Sequence, residues 1–154
     1  MNVRSRHLGT AVLALIITAT LAASPASAVS TSSWTESVTH YTTYVDGGYV
    51  RSAFAMPPSS VPATAKITKT SWAVAPYTNG YTADTVTLCY QQVYTSTDYR
   101  CLDIAVTNGT TMSTTLFNGL SPKGIFMIKH TLFGGTYPAT GGTAQDTVRV
   151  DYQY

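Results

Sequence analysis

The chain has 154 residues, with 9 lysines and arginines against 7 aspartates and glutamates. Two of the basic residues, Arg4 and Arg6, precede an apolar run at 8–21 and the small-residue site Ala26-Ser27-Ala28, a pattern typical of a secretory signal peptide over residues 1–28. Cleavage would leave 7 basic and 7 acidic residues. A neutral mature chain lacks the electrostatic attraction that nucleic acid or an anionic membrane requires, so neither is an expected partner.

Residues 29–154 are predicted to form one secreted, extracellular domain. Their number suits a single hydrophobic core. No second long apolar stretch follows the signal, so no membrane association is expected after cleavage. An exported chain meets an oxidising environment, in which its only two cysteines, Cys89 and Cys101, are expected to be bridged.

The mature chain is predicted to be all-β. It contains all 11 tyrosines and many threonines, residue types that favour strands, and shows no sustained 3.6-residue apolar period that would indicate a helix. The predicted strands cover 34–45, 49–55, 65–75, a hairpin at about 84–106, 110–117, 124–133 and 143–154. Seven to eight short strands separated by Gly, Pro and Asn turns predict an antiparallel β-sandwich or jelly roll, with a closed barrel as the alternative.

The hairpin at 84–106 has a register that can be tested by counting. If Cys89 faces Cys101, then Leu88 faces Leu102, and the residues that alternate with the cysteines are apolar on both strands. A slip of one residue would separate the cysteines and turn apolar side chains to water. The same register therefore supports the hairpin and a structural disulfide. Neither a C-x-x-C redox motif nor a four-ligand zinc pattern is present.

Antiparallel strands alternate their connections between the two ends of a sandwich. Loops 76–82, 107–109 and 134–142 are therefore expected at one end. Asn108-Gly109-Thr110 matches a glycosylation sequon, but an Asn-Gly turn explains it. Tyrosine faces beside amide groups suit the stacking and hydrogen bonding of a sugar ring. The predicted ligand-binding residues at this end are Tyr77, Asn79, Tyr81, Asn108 and Tyr137.

No catalytic, cofactor or metal motif has a specific spacing. The mature chain has two histidines, His40 and His130. His130 shares strand parity with Phe126 and Ile128, which predicts a buried position, whereas His40 is predicted to be exposed on its strand. His40, His130 and a carboxylate could form a metal-ligand set, but no spacing specifies one, so no metal is predicted.

The first functional prediction is a secreted, non-catalytic protein that binds carbohydrate or a cell-envelope polymer through the aromatic loop end. The alternative is an inhibitor of an extracellular protease or other hydrolase, which would act through the Pro-rich loop 55–64 with Met56 as its leading side chain. The expected partner is therefore an extracellular polysaccharide or a secreted protein. Two lesser hypotheses are a small hydrolase around His130 and a coat protein that assembles by its strand edges.

Overall fold

The computed structural model describes residues 28–54 and 59–154. The predicted signal segment, apart from Ala28, and residues 55–58 of the Pro-rich loop lie outside this part. The described residues form eight strands and no helix, as the composition predicts. Accordingly, this part of the chain offers no helix with the length and apolarity that a membrane span needs.

Two four-stranded antiparallel sheets make the fold. The strands are β1 (Thr31–Thr39), β2 (Tyr49–Phe54), β3 (Lys66–Ala73), β4 (Ala83–Gln91), β5 (Asp98–Ile104), β6 (Met112–Thr114), β7 (Ile125–Phe133) and β8 (Gln145–Gln153). One sheet has the order β1-β8-β3-β6 and the other β2-β7-β4-β5. Chain neighbours β1 and β2 lie in different sheets, and so do β3 and β4. The predicted sandwich is confirmed.

The β4–β5 hairpin has the predicted register. Cys89 pairs with Cys101 and Leu88 with Leu102, and the two cysteines are joined by a disulfide. The side chains that alternate with the cysteines, such as Val86 and Leu88, are buried between the sheets. The hairpin therefore forms the disulfide and buries its apolar side chains at the same time, because strand alternation places the cysteines and the apolar residues on opposite faces.

Two predicted strands end at least three residues early in the structure. The first ends at Thr39 rather than at residue 45, because the chain crosses to the 134–144 loop: the His40 amide donates to the Ala144 carbonyl, and Thr43 exchanges backbone hydrogen bonds with Ala139. The strand predicted over 110–117 keeps only β6, after which turns carry Phe117 into the core. Local strand propensity yields in both places to tertiary contacts.

The main core lies between the sheets and is aromatic. Phe126 is completely buried and contacts three other rings, those of Trp34, Tyr90 and Phe117, at centroid distances of 6.2, 5.2 and 5.2 Å. The polar atoms of the two amphipathic rings are satisfied, since Trp34 Nε1 donates to the Pro122 carbonyl and the Tyr90 hydroxyl to the Ser121 carbonyl. Apolar packing therefore dominates this half of the interior, although the buried Thr70 hydroxyl and Trp72 Nε1 have no hydrogen-bond partner in the described part of the chain.

Candidate functional site

The loops at one end of the sandwich are tied to one another. Loop 76–82 meets loop 134–144 through two hydrogen bonds between Asn79 and Thr136. The connection 40–48 meets the same loop through the Thr43–Ala139 bridge and through Asp46, whose carboxylate accepts the Gly134 amide. We call these three connections the loop end. Its backbone is fixed by interloop hydrogen bonds, which preorganise the side chains it carries.

The five predicted ligand-binding residues have different surroundings. Tyr77 is buried, with 4% of its surface exposed, and its hydroxyl donates to the Tyr41 carbonyl. Asn79, Tyr81 and Tyr137 are half-buried, and both tyrosines pack against the small cluster around Tyr77. Asn108 is exposed in an Asn-Gly turn with positive φ at both residues. That turn is linked to the strand before loop 76–82 by the Thr107 hydroxyl, which accepts the Val74 amide. Ligand binding by these residues stays a prediction.

Exposed aromatic residues at or beside the loop end were absent from that predicted set. Tyr41, Tyr44 and Tyr49 expose 56%, 73% and 57% of their surface, and Phe133 exposes 43%. Sequence reasoning missed Tyr41 and Tyr44 because they were assigned to the interior of a long first strand. The Thr43–Ala139 bridge, which makes them loop residues, joins positions 96 residues apart and leaves no local signal.

A polar cluster lies directly beneath the loop end, between the two sheets. We call it the His/Asp cluster, and it comprises His40, Asp84, His130 and Asp146. Asp146 is central: Oδ1 lies 2.8 Å from His40 Nε2, and Oδ2 lies 3.0 Å from His130 Nε2. The other His130 nitrogen, Nδ1, lies 2.8 Å from Asp84 Oδ2. All four side chains are at most 1% exposed, so the cluster is sealed from solvent.

Strand alternation places these side chains inside. His130 follows Phe126 and Ile128 on the inner face of β7, and Asp146 precedes Val148 and Val150 on the inner face of β8. Since β7 and β8 belong to different sheets, the His130–Asp146 contact crosses the sandwich interior. The prediction that His130 is buried is confirmed.

His40 is buried, which makes its predicted exposure wrong. It directly follows β1 with the inward parity of Trp34 and Val38, and it reaches Asp146 on the neighbouring strand β8. The sequence does contain a signal for this contact, because Asp146 interrupts an otherwise apolar strand face. A buried carboxylate requires hydrogen-bonding partners, and the histidines supply them.

Two features close the cluster from above. The Tyr77 ring stacks on His40 at 4.5 Å and meets His130 edge-on at 5.4 Å. Gly141 passes so close to His40 that a side chain at this position would overlap the His40 Cβ atom. The loop end is thus built against the cluster, and a displacement of either histidine would move the loops above it.

The mutual contacts govern how the cluster titrates. Burial alone would lower the pKa of His130, but hydrogen bonds to Asp146 and Asp84 outweigh it and raise the pKa to about 9. Burial opposes ionisation of Asp146, yet the hydrogen bonds from His130 and His40 hold the pKa of its carboxyl below the usual range. Burial also raises the pKa of the Tyr77 hydroxyl, which stays protonated. At neutral pH, His130 is therefore an imidazolium, which donates hydrogen bonds to Asp146 and Asp84.

The cluster offers metal ligands but no accessible catalytic group. Among the described residues, His40, His130 and Asp146 each present a donor atom, all within 4.8 Å of one another. A second group, Cys89, Cys101 and Asp98, has its sulfurs committed to the disulfide. Acid–base catalysis needs contact with substrate, and the solvent-sealed histidines do not provide it.

The Pro-rich loop of the alternative prediction is described only from Ser59 onward. In that part Val61 is buried in the main core and the Ala65 amide donates to the Pro62 carbonyl. Met56, the side chain expected to lead an inhibitory loop, lies outside the described residues. An inhibitory role for this segment stays a prediction.

No protein-family model matches the chain, and no curated protein matches it. A solved structure titled "Crystal Structure of FLHE" is similar, with a TM-score of 0.57 and 17% identity over 80% of this chain and 98% of that chain. A structure titled "Desmodium yellow mottle tymovirus" has a TM-score of 0.40 and 10% identity over 97% and 94% of the two chains, which is too low to show a shared fold. At these identities the likeness to the FLHE structure shows a shared sandwich fold alone.

Proposed function

We propose that the protein is a secreted, non-catalytic binding module that recognises a carbohydrate or cell-envelope polymer through its loop end. The observation that carries the proposal is the collection of exposed aromatic rings on loops fixed by interloop hydrogen bonds. Flat aromatic faces stack on the C–H face of sugar rings, and a rigid scaffold lowers the entropy lost on binding. The predicted signal peptide and the disulfide agree with an extracellular location.

Polar groups beside the rings would supply specificity. The Asn79 side-chain carbonyl and the Tyr137 hydroxyl are covered, and neither has a hydrogen-bond partner in the described part of the chain. A small rotation of these side chains would present them to the hydroxyl groups of a sugar. Covered polar groups without partners cost free energy, and a ligand that satisfies them gains affinity accordingly.

Two cations next to Tyr49 suggest which polymers would bind best. Lys129 Nζ lies 4.5 Å and Arg51 Cζ 5.6 Å from the centre of the Tyr49 ring. A ring flanked by cations favours a chain that carries carboxylate or phosphate groups among its sugars. We therefore expect acidic cell-wall polymers to bind more tightly than neutral ones, with an affinity that falls as salt rises.

The test is co-sedimentation of the mature, oxidised protein with cellulose, chitin, starch and peptidoglycan that carries its acidic polymers. The double variant Tyr41→Ala/Tyr44→Ala should lose at least tenfold in affinity, since each stacked ring contributes about 1 kcal/mol or more. Both side chains are exposed, and the Tyr41 carbonyl that holds Tyr77 remains in the variant. Its thermal stability should therefore stay unchanged.

Tyr94→Ala is the matched control. This residue is a fully exposed tyrosine at the tip of the β4–β5 hairpin, the opposite end of the sandwich. Its removal should leave binding intact. Retention on no polymer, or equal loss of binding in both variants, would contradict the proposal.

A further inference from the structure

We propose that His40, His130 and Asp146 form a binding site for a divalent metal ion of the Zn²⁺ type, inside the sandwich and beneath the loop end. Two imidazole Nε2 atoms and a carboxylate are a donor set that Zn²⁺ readily accepts. The three side chains come from the end of β1, from β7 and from β8, so an ion would join both sheets. This inference is independent of polymer binding.

The donor atoms are close to the spacing that an ion requires. Ligand atoms at zinc bond lengths in a tetrahedron are separated by about 3.4 Å. Here each Nε2 atom lies 2.8 or 3.0 Å from an Asp146 oxygen. If each Nε2 atom and its Asp146 oxygen moved apart by about a further half ångström, the ion would fit between them. The Ser52 hydroxyl, 3.4 Å from Asp146 Oδ2, is a further neutral oxygen beside the set.

A supporting shell already orients the donors. Asp84 Oδ2 accepts from His130 Nδ1 at 2.8 Å, which leaves Nε2 as the atom that would face the ion. Ala75 donates its amide to Asp146 Oδ1 at 3.2 Å, and Ser52 donates its hydroxyl to Oδ2. A carboxylate behind a ligating histidine, with hydrogen bonds to the ligating carboxylate, is the usual surrounding of a protein zinc site.

The charge of the cluster also favours a divalent ion. Asp84 and Asp146 bring two buried negative charges, and neither is paired with a lysine or arginine in the part of the chain that the structure describes. A divalent cation would displace the Nε2 proton of His130, and the cation with two neutral imidazoles would balance both carboxylates.

The sealed position makes the site structural. Catalytic zinc sites keep a position open to solvent, whereas this cluster is covered by Tyr77 and by the loop end. Its three ligands and Asp84 stand where β1, β4, β7 and β8 meet the loops of that end. A bound ion would therefore fix the loops relative to the sheets.

The test uses untagged mature protein, whose only histidines are His40 and His130. The protein is treated with EDTA, freed of chelator, and titrated with Zn²⁺ and Co²⁺ at pH 8, where histidine protons compete less than at lower pH. Because entry is closed, a second sample is refolded from urea with the metal present and the disulfide intact. We expect one ion per chain in native mass spectrometry, a melting temperature raised by about 5 °C or more, and a visible d–d absorption band with Co²⁺.

Three variants locate the ion. His40→Gln removes a donor and should abolish stoichiometric binding. Asp84→Asn keeps all donors and should weaken binding about tenfold, as expected of a residue that orients a ligand. Asp103→Asn, which changes an exposed carboxylate on β5, should bind as the native protein does.

The proposal is overturned if neither the titrated nor the refolded native protein retains an ion, or if His40→Gln retains it. Should His40→Gln fail to fold, the Co²⁺ spectrum of the native protein decides. The intense absorption of a low-symmetry nitrogen and oxygen site supports the proposal, whereas the weak spectrum of hydrated Co²⁺ contradicts it.

Discussion

The two halves of the sandwich interior are held by different interactions. Toward the end of the sandwich opposite the loop end, Phe126 packs against three aromatic rings, and the enclosed surface is mainly apolar. Toward the loop end, the same inner faces carry Asp84, His130 and Asp146, which form the His/Asp cluster with His40, and Tyr77 of loop 76–82 covers it. The alternation of inward and outward side chains continues unbroken along β7 and β8. The two halves therefore differ only in which residue types face inward.

The two kinds of interaction have different consequences for the stability of the fold and for the position of its loops. Apolar packing has little directional preference and tolerates similar shapes, whereas a buried ionic network requires every partner in its place. The apolar half accordingly supplies most of the free energy of folding. The polar half determines how the loop end is positioned. Substitutions in each half should have effects of different kinds as well as different sizes.

The largest expected effect comes from the apolar half. Phe126→Ala removes a completely buried ring from the centre of the aromatic core and should lower the free energy of unfolding by about 4 kcal/mol. Urea denaturation of the oxidised protein measures the loss. We expect the protein that remains folded to retain the proposed polymer binding, and a selective loss of binding would contradict the division of roles between the two halves.

The next largest effect comes from the centre of the polar half. Asp146→Asn keeps the shape of the side chain but removes the charge that His40 and His130 contact, which should cost about 3 kcal/mol. In contrast to Phe126→Ala, this variant should also lose polymer binding, because Tyr77 and the loops rest on His40. Co-sedimentation beside urea denaturation distinguishes the two. Unchanged stability would show that the cluster is dispensable.

A smaller effect is expected from pH in the metal-free protein. The pKa of His130 is raised from 6.5 to about 9 in the folded state, so its stabilising contribution is complete below pH 6.5 and disappears as the pH rises through 9. Asp146 has a lowered pKa, so its contribution is present above its unfolded value and is lost only in acid. The free energy of unfolding in EDTA should fall by roughly 2–3 kcal/mol between pH 6 and pH 9.5. His130→Gln should flatten this dependence, and a flat native profile would contradict the assignment.

The sequence predicts features that depend on local constraints better than features that depend on contacts between distant residues. Hairpin register, sheet class and the burial of His130 follow from alternation and from two cysteines 12 residues apart, which are local constraints. The predicted exposure of His40 was wrong because its burial depends on Asp146, at a separation of 106 residues. The burial of Tyr77 depends in the same way on Tyr41, 36 residues away. Contacts over such distances have no local pattern. The exception is Asp146 itself, whose place on an apolar strand face indicates a buried polar partner.

The most direct test of the account is residue-resolved amide hydrogen exchange in native protein and Asp146→Asn under identical conditions. We predict that the variant loses protection at the amides that fix the loop end, those of Thr43, Ala75 and Ala139. Amides of the β4–β7 ladder beside the aromatic core, such as Leu88 and Ile128, should exchange only through global unfolding. Their protection should therefore fall by no more than the measured loss of stability. An equal loss of protection at all these amides would show one cooperative interior and contradict the division of roles between its halves.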